Sequence, residues 1–95
     1  MIYLTQQNFA AEVKNETLPV LIEFSNKTSL PAELEKNYRQ KCKFCRVDMN
    51  AQAEFAGRFS LLRLPTSILM QNGDVIQRIS GERSAEEWKK ILNLD

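Results

Sequence analysis

Three features of this 95-residue chain predict an α/β domain. Its central mixed sheet has four to five strands flanked by helices on both faces, with a C-terminal β-hairpin and then a helix. Strand-like and helix-like segments alternate through the first half, the pattern of parallel strands joined by right-handed crossovers. Two apolar runs within residues 61–79 flank Gln71-Asn72-Gly73-Asp74, a turn short enough to force antiparallel pairing. Ser84 and Glu87 are spaced as a capping box ahead of Trp88, Ile91 and Leu92, which share one helical face.

In chain order, Ile2 and Leu4 alternate around Tyr3 in a short first strand. Thr5 reads as a helix N-cap, with Phe9 and Val13 four apart on one face. Val20-Leu21-Ile22 reads as a strand near the middle of the sheet, buried on both faces. Pro31 suits a first helical turn, Glu33 and Glu35 suit its positive end, and Leu30, Leu34 and Tyr38 form an i, i+4, i+8 stripe. Cys42 to Asp48 is a third strand, in which Phe44 faces one way while Cys45 and Val47 have the opposite parity. A second helix is expected from about Ala51, with Ala53, Phe55, Ala56 and Phe59 as its apolar side. In the closing hairpin the second strand, Val75 to Ile79, carries less apolar material than Ser67 to Met70 and is the expected edge. Trp88 is expected on the sheet or half exposed.

Composition sets outer limits. Thirteen Lys and Arg against twelve Asp and Glu give +1, and no basic run exceeds two residues, so a nucleic-acid partner is not expected. No stretch reaches the roughly 18 apolar residues of a membrane span, and the first residues lack the pattern of a signal peptide. A cytoplasmic protein with reduced thiols, in a single domain over 1–95, is the expectation. With no histidine and two cysteines, the chain offers no four-ligand zinc site, and no cofactor or metal is expected.

Segments PVLIEF (19–24), VDMNAQAEFAGRF (47–59) and LRLPTSILMQNGDVIQRISG (63–81), with the closing helix, resemble the thioredoxin family in order and spacing across nearly the whole chain. The resemblance implies a thioredoxin-like fold and a cis Leu64–Pro65 peptide. It also implies a groove in which an extended substrate pairs with the backbone of Leu64. Redox-active members carry W-C-x-x-C after the PVLIEF-type strand, at the start of the next helix, where the helix end lowers a thiol pKa. The corresponding stretch here is SNKTSLPAELEKNY. It holds neither cysteine nor tryptophan and is about eight residues shorter than the family pattern. Ser25, Thr28 and Ser29 have no histidine to activate them.

Cys42-Lys43-Phe44-Cys45 matches C-x-x-C as text, yet it follows a helix and enters a strand. Residues three apart in a strand point to opposite faces, with Cα atoms about 10 Å apart, beyond disulfide reach. Cys45 is expected inside and Cys42 within reach of solvent. Glu23 and Arg46 stand where the family has a buried carboxylate and its lysine. They read as an ion pair between adjacent strands, partly opened to water by the missing loop.

These readings point to a redox-inactive domain that binds a protein or peptide, or a second copy of itself, in a groove of Leu64, Pro65, Thr66, Ser29 and Leu30. A shortened loop would expose Leu30, Leu61 and Leu62 as an apolar patch, and an exposed first helical turn would hold an anion. The competing reading is a thiol–disulfide oxidoreductase serving cell redox homeostasis through Cys42 and Cys45. It requires an exposed thiol of low pKa close to Pro65.

Overall fold

Burial fixes the layout of the computed structural model, which describes residues 1–94. Its strands are β1 (Ile2–Tyr3), β2 (Val20–Ser25), β3 (Lys43–Asp48), β4 (Thr66–Gln71) and β5 (Asp74–Ser80). Strand β2 is buried at every position, as its unbroken apolar run requires of a strand covered on both faces, and it takes the centre of a sheet ordered β1-β3-β2-β4-β5. β3 runs parallel to both β1 and β2, β4 is antiparallel to β2, and β5 is antiparallel to β4. The helices are α1 (Ala32–Tyr38), α2 (Phe55–Phe59) and α3 (Ala85–Ile91), with a π-helical turn at Ala10–Lys14.

The two-residue period of the strands divides their side chains between two cores. Val20, Ile22 and Phe24 of β2 and Cys45 and Val47 of β3 pack with Phe9, Val13, Phe55 and Phe59. Phe24 and Phe59 rings meet at 5.2 Å, and the Arg58 guanidinium lies 4.2 Å from the centroid of Phe9. On the opposite face Leu21, Cys42 and Phe44 pack with Leu34 of α1 and Trp88 of α3. Trp88 is buried, not half exposed, because it meets the sheet beside Leu94.

Asn72 and Gly73 both have positive φ, 53° and 83°, which is the geometry that an Asn-Gly hairpin turn demands. Ile76 is the extra residue of a bulge, since Leu69 pairs with Gln77 while Met70 pairs with Val75. Such a bulge twists an edge strand away from further pairing. At the N-terminus Thr5 Oγ1 accepts from Asn8 N at 3.3 Å and Asn8 Oδ1 accepts from Thr5 N at 2.8 Å, a reciprocal cap. α2 is shorter than expected. Ala51 and Gln52 turn on the Asp48 carbonyl, so the helix begins only at Phe55 and Ala53 stays exposed.

α3 carries the capping box: Ser84 Oγ accepts from Glu87 N at 3.1 Å, and Glu87 Oε1 accepts from Ser84 N at 2.9 Å. Ser84→Ala removes one of these bonds and is expected to lower stability by about 1 kcal/mol, read as an earlier urea midpoint with unchanged slope.

Candidate functional site at the Leu64–Pro65 ledge

The turn between β2 and α1 is organised by a side chain that precedes it. Glu23 is paired in register with Arg46 on the adjacent parallel strand, on the sheet face that α1 covers. Its Oε2 accepts from Ser29 N at 2.6 Å, from Leu30 N at 3.1 Å and, in a short contact, from Ser29 Oγ. Its Oε1 faces Arg46 Nε at 3.4 Å and has no hydrogen bond among the described residues. Arg46 is itself tied to Ser25, with Nε donating to Oγ and Nη2 to the carbonyl, both at 3.2 Å. The Tyr3 ring lies 5.6 Å from its guanidinium.

One expectation is corrected here. The ion pair is not opened to water: Glu23 is 0% and Arg46 5% exposed, because the short turn folds directly over them. The donors of Ser29 and Leu30, in the turn just before α1, are occupied by the Glu23 carboxylate. Buried donors need a partner, and this chain supplies its own.

Residues 25–29 then face the loop that enters β4. The Leu64–Pro65 peptide is cis, and the Pro65 carbonyl accepts from Gly81 N at 2.9 Å, fixing the loop to the end of β5. Gly81 has φ +84°, a conformation that a side chain disfavours. Between the 25–29 turn, Leu64, Pro65 and Glu82 lies a cleft of about 350 Å³. Of the expected groove residues, Ser29, Leu64 and Pro65 line this cleft. Leu30 and Thr66 do not. Leu30 is buried against α1 and α3, and Thr66 is buried with Oγ1 donating to the Arg63 carbonyl at 2.6 Å.

The expected leucine patch is likewise reduced. Leu30 is inside and Leu61 packs on the core, whereas Leu62 is 97% exposed and Leu64 38%. Thr66 lines a second cleft, across the ledge, with Arg63 and Arg78. These arginines, and Glu82 of the first cleft, were not singled out by the sequence. The only hint was the placement of Arg63 two residues before Pro65.

Cys42 and Cys45 are free and belong to opposite cores. Neither lines the cleft beside Pro65. Cys42 is 2% exposed and Cys45 0%, so the expectation that solvent reaches Cys42 is corrected; Trp88 and Leu94 lie in the same cluster and cover it. Burial pushes the Cys42 thiol up to about 11 and the Cys45 thiol up to about 12. A thiol raised this far is a poor nucleophile near neutrality.

Comparison with known proteins agrees with this architecture. No helix among the described residues is long and apolar enough to cross a membrane. Thioredoxin of Bacillus subtilis is 24% identical over 101 positions, covering 98% of this chain and 95% of its own. That span exceeds the 95 residues present, so the alignment needs gaps in this chain. Thioredoxin C-3 of Corynebacterium nephridii is 30% identical, covering 97% of this chain and 68% of its own. A thioredoxin of Listeria monocytogenes matches at 26% over 61 residues, 64% of this chain and 59% of its own. The family model described as Thioredoxin matches residues 1–93, and with the mixed five-stranded sheet this places the chain in the thioredoxin family.

Proposed function

We propose that this thioredoxin-family domain binds an extended segment of a partner protein or peptide on the Leu64–Pro65 ledge and performs no thiol–disulfide exchange. The observation that carries the reading is the occupancy of the β2–α1 turn. Where the resemblance calls for a reactive thiol at a helix start, the donors of Ser29 and Leu30 hold Glu23, and both cysteines are buried in the two cores. Three features support binding. Leu64 exposes apolar surface beside the first cleft and Leu62 beside the second. No described residue bonds to the N–H or C=O of Leu64, leaving both for main-chain pairing with an extended segment. The ledge is anchored at Gly81 and so is held ready.

Reduction of insulin by dithiothreitol tests the redox half of this reading. The chain is expected to leave the rate at the uncatalysed background, as are Cys42→Ser and Cys45→Ser variants. Turnover well above background that either substitution abolishes would instead assign the domain a thiol–disulfide oxidoreductase activity.

A further inference from the structure

The ledge separates two clefts of different charge. The cleft beside the 25–29 turn is lined by both Lys27 and Glu82, so it carries both signs. The cleft across the ledge, of about 310 Å³, is lined by Arg63 and Arg78 together with serine and threonine hydroxyls and two leucines. No carboxylate among the described residues lines it. Neither guanidinium has an ion-pair partner among the described residues.

Arg78 is held in place. Its Nη1 donates to the Phe59 carbonyl at 2.6 Å, at the end of α2, where Ser60 turns left-handed with φ 54°. That bond uses one of five N–H groups and leaves the rest for a ligand. Arg63 rises from the ledge itself, next to the exposed Leu62. The whole chain carries only +1, so two unpaired arginines in one cleft are a local excess of positive charge. A guanidinium pair suits a planar carboxylate, which it binds through parallel N–H donors. A nucleic-acid backbone calls for a longer basic stripe than two residues.

We infer that the segment bound on the ledge is acidic: an extended peptide that lays an apolar side chain on Leu62 and sets an Asp or Glu carboxylate between Arg63 and Arg78. This rests on the peptide-binding reading above and adds the partner's charge. Sequence pattern becomes specificity here, because the apolar surface accepts many segments while the arginines reject basic ones.

The test is a nitrogen-15 NMR titration with a short peptide of alternating valine and glutamate, and with its counterpart carrying lysine in place of glutamate. The glutamate peptide is expected to shift the ledge amides of residues 60–64 together with those of Arg78 and Ser80. It should bind about ten-fold more tightly than the lysine peptide at low salt, with the gap closing as salt screens the pair. Arg63→Glu should reverse that order; Arg63 is exposed and its side chain bonds to none of the described residues, so the variant keeps the fold. If both peptides shift the ledge amides equally in wild type and variant, the acidic preference is overturned and ledge binding stands. If neither shifts them, both fall. Saturable shifts at Arg63 and Arg78 with an oligothymidine, and none with the glutamate peptide, would overturn the inference in favour of nucleic acid.

Discussion

Glu23→Ala is expected to destabilise the domain by about 3–5 kcal/mol, the cost of leaving one member of a buried ion pair without its partner. Arg46 would keep its charge inside the sheet with only Ser25 as acceptor. The donors of Ser29 and Leu30 would lose the oxygen that they share. Against a total of about 5–15 kcal/mol for a small domain, the loss brings unfolding close to ambient conditions. Glu23→Gln is expected to cost less than alanine, since its amide oxygen still accepts from the turn while the Arg46 charge goes uncompensated. The double variant Glu23→Ala with Arg46→Met is expected to be more stable than Glu23→Ala alone, because it removes the stranded charge. Urea unfolding of the four proteins decides the matter. A Glu23→Ala variant within about 1 kcal/mol of wild type would mean that this carboxylate is not what closes the turn. The same variant should speed hydrogen exchange at Ser29 and Leu30, whose N–H groups donate to the lost carboxylate.

That dependence also explains what the sequence could and could not reveal. The unbroken Val20-Leu21-Ile22 run announced a central strand, and Asn72-Gly73 announced the hairpin, because both signals are local and have few alternatives. Strand parity alone put Cys42 and Cys45 on opposite faces, where the structure has them. Contacts closed by distant segments were not legible. Cys42 is covered by Trp88 and Leu94, some fifty residues further on, so its place at a strand start suggested exposure wrongly. Leu30 is buried with Leu34, as their i, i+4 spacing indicates, but the Glu23 bond that holds its turn toward the sheet was not foreseen. That bond depends on how tightly a short loop must fold, which no periodicity encodes. Helix α2 began late for a related reason: the turn at Asp48 satisfies Ala51 and Gln52 before a helix can form. At the site, Ser29, Leu64 and Pro65 were found from the family resemblance. The arginines were missed because only the hairpin's return brings Arg78 back beside residues 60–63.

The two thiols make stability fall at alkaline pH, with a sign that follows from their burial. In the folded chain Cys42 is raised to about 11 and Cys45 to about 12, against an ordinary value of 9.0. Below pH 9 both are protonated in either state, and their contribution is complete and constant. Above it the unfolded chain releases protons that the folded chain still holds, so each further pH unit favours unfolding by roughly 1 kcal/mol per thiol. The loss runs until Cys42 ionises in the fold near 11 and Cys45 near 12. Urea unfolding at about pH 8 and about pH 10.5, for wild type and for a Cys42→Ala/Cys45→Ala variant, isolates this contribution. Lysine and tyrosine titrations are common to both proteins, and the small cavities left by alanine shift the variant equally at both pH values. Wild type is expected to lose several kcal/mol more than the variant between the two conditions. A gap between them that does not change with pH would show the thiols ionising as freely in the fold as in the unfolded chain. Rapid iodoacetamide labelling of the folded protein near neutrality would show the same. Either result would restore Cys42 or Cys45 as a candidate nucleophile and remove the chief obstacle to redox chemistry in this chain.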